Sequence, residues 1–380
     1  MNSLVSSFKK ILHITYDMRI GGTEMVIKNI IDGSLKSDTN MSIFCIEEPI
    51  GPWGRSLQSR GINIHSKARK PGFDIDLVHV LRSHIKKHDI DIIHCHQYTP
   101  WVYGALAAAF TKTKVIFTEH GRFYPDSSSW KRRLVNPLLV AMTDKITAIS
   151  EATKTALSEF EYIPSPKIEV VYNGINELSV DRAKLEHAKT LFTMPENAFV
   201  LGTIARFDPI KNHVMMLDAF AVARESNPDL FLIIVGDGEE RSNIETKIDE
   251  LGIGAYVKLT GYQQDPSHYL AMFDVFLLSS LSEGTSMTLL ESLSLGIPCI
   301  VTDAGGNSEI IEDKSNGFVV PNNNSVEFAK AIVELSKVNL HGMSHSARQS
   351  FERKFTNKLM VQKYATSYNQ LTGDVVEAHD

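Results

Sequence analysis

Val275-Phe276-Leu277-Leu278 and the segment just after it, Ser282-Glu283-Gly284-Thr285-Ser286-Met287-Thr288-Leu289-Leu290-Glu291, decide how the rest of the chain reads. The four apolar residues predict a buried strand, and Thr288-Leu289-Leu290-Glu291-Ser292-Leu293 has helical apolar spacing. Glu283 is therefore expected in a strand-to-helix turn, and Glu291 about one turn into the helix. A helix N-terminus carries N–H groups with no intrahelical acceptor and the positive end of the helix dipole, a seat for an anion. Carboxylates repel phosphate, so both are read as acceptors for hydroxyls beside it. Hydroxyls flanking a diphosphate describe a nucleotide sugar.

The same strand–helix alternation runs through the chain. Strand-like runs occur at Lys10–Tyr16, Met41–Ile46, Ile62–His65, Asp91–Cys95, Lys114–Thr118, Lys145–Ala148 and Ile168–Val171. Helical patterns at Ile75–Lys87, Val102–Phe110, Trp130–Met142 and Glu151–Glu159 lie between them. A second alternation starts at Phe199–Ile204 and continues through Phe231–Val235, Val257–Leu259, Phe273–Leu278, Cys299–Thr302 and Gly317–Val320. Such alternation predicts an α/β fold with two parallel sheets, each covered by helices. Residues 1–8 read as a loose leader, Asn357–Leu371 as a final helix and Val375–Asp380 as a disordered end. The polar segment Glu177–Glu196 is read as the boundary between domains 1–180 and 181–356.

With 380 residues, 43% hydrophobic content and 22% charged content, the composition is that of a two-domain globular protein. A formal net charge of -6 argues against nucleic acid as a general partner. Cys45, Cys95 and Cys299 each sit in an apolar run, which predicts buried free thiols in a reducing compartment. No apolar run approaches the ~18 residues of a membrane span, and Ile11-Leu12-His13-Ile14 is too short and polar for a signal segment. The expected location is cytoplasmic, with peripheral contact at the inner membrane face.

Every polar cluster of interest falls at the end of a strand, where open parallel sheets bind their ligands. Gly21-Gly22 follows the first strand but lacks the G-x-G-x-x-G dinucleotide pattern. His94-Cys95-His96 suggests metal, but only its two histidines share a strand face and no Cys/His pair with zinc-like spacing accompanies it. His120, after Thr118-Glu119, reads either as a cleft residue or as a core histidine, in a loop with Arg122 and Tyr124. Arg206 and Lys211 span a Pro-containing turn and can converge on one anion. Val235-Gly236-Asp237-Gly238 and Asp303-Ala304-Gly305-Gly306 are further glycine turns at strand ends.

Taken together, Glu283-x7-Glu291, Arg206 with Lys211, Gly21-Gly22, the His120 loop, Val171-Tyr172-Asn173-Gly174-Ile175 and Gly305-Gly306…Glu309 resemble the retaining GT-B glycosyltransferases called family 4. The resemblance covers the chain from about residue 10 to about residue 370. It implies two Rossmann-like domains facing across a cleft, with the C-terminal helix (357–372) crossing back to the first. By the same resemblance Arg206 and Lys211 grip the donor diphosphate, Glu291 takes the ribose hydroxyls and Glu283 holds the transferred sugar. The backbone of Gly284, Thr285, Ser286, Met287 and Thr288 binds sugar or phosphate, Gly21 and Gly22 close from the first domain, and Tyr262 lies near the base. His120 stands beside the anomeric carbon. Two departures bear on specificity: Thr285 and Ser286 replace the usual bulky aromatic and Pro, and Ala205 replaces the Gly before the diphosphate Arg.

The implied reaction is metal-independent transfer with retention, needing no cofactor, from a nucleotide-diphosphate donor. UDP-sugars lead as donors, and a GDP-mannose-dependent mannosyltransferase is the alternative. The acceptor is a glycan or lipid-linked glycan in surface-polysaccharide biosynthesis. A sugar-nucleotide epimerase and an inactive nucleotide-sugar-binding subunit are the rival readings. Asp74-Ile75-Asp76 and Asp89-Ile90-Asp91 match the metal motif of the other transferase fold, but read as a helix start and a strand entry. Ser127-Ser128-Ser129-Trp130-Lys131-Arg132-Arg133-Leu134 opens a helix suited either to an anionic membrane or to packing on the sheet.

Overall fold

The computed structural model describes residues 9–35, 39–121, 127–192, 194–195 and 197–373. The leader 1–8, Arg122, Tyr124 and the end Val375–Asp380 lie outside these described residues. The chain forms two compact units, one of Met1–Gly174 with Asn357–Asp380 and one of Ile175–Thr356.

Unit 1 runs β1 (Lys9–Thr15), α1 (Gly22–Ser34), β2 (Thr39–Cys45), α2 (Pro52–Ser59), β3 (Asn63–Ser66), α3 (Ile75–His88), β4 (Ile92–His96) and α4 (Tyr98–Ala108). It continues with β5 (Lys114–Glu119), α5 (Trp130–Ala141), β6 (Lys145–Ala148), α6 (Glu151–Phe160) and β7 (Ile168–Val170). The parallel strands lie in the order β3-β2-β1-β4-β5-β6-β7. One face is apolar, with Trp101 of α4 stacked on Phe117 of β5 at 4.2 Å. Asp74 caps α3, accepting from Asp76 N (3.1 Å) and Leu77 N (3.3 Å), and Asp91 accepts from Lys10 N (2.9 Å). Both Asp-x-Asp pairs thus stand at element ends, as the sequence indicates.

Unit 2 runs α7 (Arg182–Thr190), β8 (Phe199–Ile204), α8 (His213–Ser226), β9 (Leu230–Val235), α9 (Arg241–Glu250), β10 (Val257–Leu259) and α10 (Ser267–Leu270). Then come β11 (Val275–Leu278), α11 (Met287–Ser294), β12 (Cys299–Thr302), α12 (Asn307–Ile310), β13 (Gly317–Val320), α13 (Ser325–Leu335) and α14 (His341–Lys354). Its strand order is β10-β9-β8-β11-β12-β13, again parallel. The core is built by Leu201, Phe207, Phe220, Leu232, Leu277 and Phe328, all buried.

The division falls earlier than residue 180 because the Ile175 amide donates to Phe355 O at 3.0 Å and Ile175 bridges Thr356. Within the polar boundary segment, Arg182–Thr190 forms a helix that its composition does not suggest. Asp181 caps α7 by accepting from Ala183 N (2.9 Å) and Lys184 N (3.3 Å), and only Ala188 of that helix is buried. A helix with so thin an apolar stripe leaves no periodic signal.

The last helix, α15 (Asn357–Thr372), belongs to unit 1. Asn357 Nδ2 donates to Asn29 O (3.2 Å), and the Gly174 amide donates to the Met360 sulfur (3.2 Å). Tyr364 and Tyr368 of this helix are fully buried. All three cysteines are buried free thiols, which burial pushes well above their ordinary pKa. Among the described residues no helix is long and apolar enough to cross a membrane.

Candidate active site

In unit 2 the strand order reverses direction between β8 and β11, so the loops that follow these two strands flank the switch point. Open α/β sheets bind ligands there, beyond the carboxyl ends of the strands. The two loops are tied to each other. Leu281 N donates to Ile210 O at 2.8 Å, and Ser279 Oγ donates to Lys211 O at 2.8 Å. Across them, Lys211 Nζ reaches Glu283 Oε1 at 2.5 Å, and Ser280 Oγ donates to the same oxygen at 2.6 Å. This ion pair is largely sheltered, with side chains 23% and 10% exposed. Arg206 is different: it points outward, 76% exposed, and pairs with Asp208 of its own turn.

Glycine builds the ground under this site. Gly305 has φ +57, and a Cβ there would fall 1.9 Å from Glu283 O. The Gly306 amide donates to that same oxygen at 3.1 Å. A bare backbone at 305 therefore lets the β12 loop support Glu283 from below. Gly236 does the same for the other loop, since its Cβ would meet Ala205 O at 1.9 Å. The glycine turns singled out in the sequence thus support the loops that carry Glu283 and Arg206.

From Glu283 the chain passes Gly284 and Thr285 to Ser286, which caps α11 by accepting from Leu289 N at 3.4 Å. The N-terminal end of α11, with Met287 and Thr288 in its first turn, lies at this loop. Glu291 follows within the helix, on the side left half-buried. Its carboxylate accepts no hydrogen bond from the described residues, and burial, with a smaller push from Asp265, raises its pKa from 4.5 to about 7. A sheltered carboxylate without a donor is poised to receive hydroxyl hydrogens. Tyr262 lies in the loop after β10, 60% exposed, beyond Gly261, whose carbonyl accepts from Gly236 N at 3.0 Å.

In unit 1, Gly21 caps α1 in extended backbone (φ -169), and Gly22 begins the helix. His120 follows β5, and its Nε2 lies 2.9 Å from Nδ1 of His96. His96 Nε2 in turn lies 2.9 Å from His13 Nδ1. His94 hydrogen-bonds through one nitrogen to Tyr368 Oη (2.8 Å) and through the other to Thr118 Oγ1 (2.7 Å). Burial holds all four imidazoles neutral, His13 and His120 down to about 3. His120 Nδ1 and His13 Nε2, the two ends of the row, are buried with no hydrogen-bond partner among the described residues.

Residues 187–352 match the family model "Glycosyl transferases group 1", and residues 20–177 match "Glycosyltransferase Family 4". The chain belongs to the family 4 glycosyltransferases. It is 26% identical to the O-antigen biosynthesis glycosyltransferase WclY of Escherichia coli, over 97% of this chain and all of that protein. It is 27% identical to the E. coli UDP-Gal:alpha-D-GlcNAc-diphosphoundecaprenol alpha-1,3-galactosyltransferase, over 75% of this chain and 76% of that one. The crystal structure of Anabaena Alr3699/HepE in complex with UDP matches with a TM-score of 0.84 at 22% identity, over 95% of this chain and all of that one. That likeness establishes the fold, GT-B, with its two Rossmann-like units.

The glycosyltransferase brings together some expected residues and separates others. Arg206 and Lys211 do not meet on one point: each holds a different carboxylate, Asp208 and Glu283. The Lys211–Glu283 pair was not expected, because 72 residues separate them and nothing local in either loop signals the contact. His13 and Tyr368 were also missed as neighbours of the His94/His96 pair. A signal existed, since strand register sets His13 beside His94 and His96 beside Thr118 on one polar face.

Proposed function

We propose that this glycosyltransferase moves a sugar, with retention of anomeric configuration, from a UDP-sugar to a glycan or lipid-linked glycan acceptor in surface-polysaccharide assembly. The observation that carries the reading is the Lys211–Glu283 pair at the α11 N-terminus, with the unpartnered Glu291 carboxylate further along that helix. A diphosphate entering there takes over Lys211 and draws Arg206 off Asp208, with the helix dipole adding to the neutralisation. This charge balance is proposed to make metal unnecessary. Glu291 then accepts the ribose hydroxyls, Glu283 the hydroxyls of the sugar, the amides of Gly284 to Thr288 contact sugar or phosphate, and Tyr262 borders the base. In unit 1, the backbone of Gly21 and Gly22 is assigned to the donor, and His120 offers the neutral Nδ1 to a substrate hydroxyl.

In the proposed step the bond between anomeric carbon and diphosphate oxygen breaks as the acceptor oxygen bonds to the same face of the sugar. The acceptor proton passes to the departing phosphate oxygen. Names of similar proteins support the donor class, since one uses UDP-Gal and a fold neighbour was solved with UDP-glucose. Thermal-shift screening of UDP, GDP and ADP tests the base, because a ligand that binds only the folded state raises its stability. A larger shift with GDP overturns UDP in favour of the mannosyltransferase reading. Product NMR reads the anomeric configuration, and activity in EDTA reads the metal. An epimer formed without acceptor refutes transfer.

The proposal includes peripheral contact with the inner membrane face. On α5, Trp130, Leu134 and Leu138 stand 70%, 64% and 67% exposed at helical spacing, beside exposed Lys131 and Arg133. An exposed apolar stripe flanked by cations fits an anionic bilayer surface. Flotation with anionic liposomes at low salt tests this, and no binding there removes it.

A further inference from the structure

A second group of histidines lies at the opposite edge of the unit 1 sheet. His84 and His88 sit one turn apart near the C-terminal end of α3, and His65 stands on β3, the edge strand. Their ring centroids are 4.5 Å (His65–His84), 4.4 Å (His84–His88) and 5.6 Å (His65–His88) apart. One nitrogen from each lies within 4.8 Å of the others. They border a cavity of about 530 Å³ together with Lys10, Asn40 and Asn63, residues at the starts of β1, β2 and β3. None of the three has a hydrogen-bond partner among the described residues, in contrast to the buried row. There His94, His96 and His13 also cluster, but their nitrogens are bonded to one another, to Thr118, Tyr368 and His120, apart from His13 Nε2.

We propose that His65, His84 and His88 form a divalent-metal site of the zinc class, which clamps the edge strand β3 to the end of α3. The ligand chemistry is suitable. Three neutral imidazoles leave a fourth tetrahedral position for water, and residues four apart on a helix present their side chains to the same side. Zinc with Zn–N bonds of about 2.0–2.1 Å requires nitrogens about 3.4 Å apart, so the rings close inward by rotation. The rings are exposed or half-buried, which leaves room for that movement. The nearby cations do not block the site: Lys87 is exposed and free to swing to water, and Lys10 faces Asp89 at 3.8 Å. The cavity opens at the amino ends of β1, β2 and β3, whereas the unit 1 turns that carry Gly21 and His120 follow the carboxyl ends of β1 and β5.

The test is titration of ZnCl2 into tag-free full-length protein at neutral pH, followed by calorimetry, with Co2+ as a spectroscopic probe. The expected result is one Zn2+ per chain and a rise in the thermal midpoint. His84→Ala and His88→Ala each weaken binding by roughly 100-fold and abolish the rise. His79→Ala, an exposed histidine on the same helix, changes neither, which separates a site from general histidine binding. Binding that survives in the His84→Ala/His88→Ala double variant overturns the proposal, as does a wild-type protein that gives no heat and no Co2+ spectrum.

Discussion

Replacing Glu291 by Gln separates what this carboxylate does for the fold from what it does for the donor. In the folded chain the group ionises near 7, against 4.5 in its ordinary state, because burial disfavours the charged form. A raised acid pKa means that the folded state holds its proton longer than the unfolded state. Stability is therefore full below about 4.5 and is lost as pH rises towards 7, then level. At about 1.4 kcal/mol per pH unit, the loss approaches about 3 kcal/mol. Glutamine keeps the shape and carries no charge, so the variant escapes this loss. Urea unfolding at pH 5 and pH 8.5 reads it: the variant should gain about 2–3 kcal/mol on wild type between the two conditions. UDP affinity should move the opposite way, falling about 10-fold or more, because a charged acceptor for hydroxyls is worth about 1.5–3 kcal/mol. A stability difference that does not change with pH would refute a half-buried carboxylate without a donor among the described residues. Unchanged UDP affinity would refute its role towards the ribose.

Glu283→Gln leaves Lys211 without its anion and is expected to cost at least about 100-fold in transfer rate, measured with saturating donor; near-full activity would remove Glu283 from the mechanism. Gly305→Ala and Gly252→Ala both place a side chain at positive φ, +57 and +66, but only position 305 meets backbone, while position 252 has nothing within 4 Å. Urea unfolding should show about 1 kcal/mol lost at 252 and distinctly more at 305, with activity lost only at 305; equal losses would mean that the β12 loop does not support Glu283. Tyr368→Phe takes the hydrogen bond from His94 inside unit 1 and should cost about 1–3 kcal/mol. An unchanged unfolding midpoint would contradict the buried contact.

Much of this was legible in the chain. Largely buried parallel strands such as β8, β12 and β13 are mostly apolar runs, and their limits were read to the residue. The strand-to-helix turn at Glu283 was equally local, whereas the cap at Ser286 was not read. Elements that bury little were not read: α2 buries only Gly54 and Leu57, and α14 only Ala347, Ser350 and Phe351. The Lys211–Glu283 pair and the row from His13 to His120 depend on strand order, which periodicity alone does not supply. Polar residues alternating along buried strands were the available hint, and β1, β4 and β5 all carry them.

That polar row has a bearing on how the chain is made. His94 is complete only when Tyr368 reaches it, and these residues are 274 positions apart. Unit 2 has all of its own sheet before α15 is synthesised, whereas unit 1 must wait for the final helix. The half that starts first on the ribosome therefore finishes last. Until then, His94 lacks the Tyr368 hydroxyl and the Tyr364 ring that cover it in the finished unit. Hydrogen exchange on released chains truncated after residue 356 should find unit 2 protected and the β4–β5 region of unit 1 open; protection in both would rule this order out.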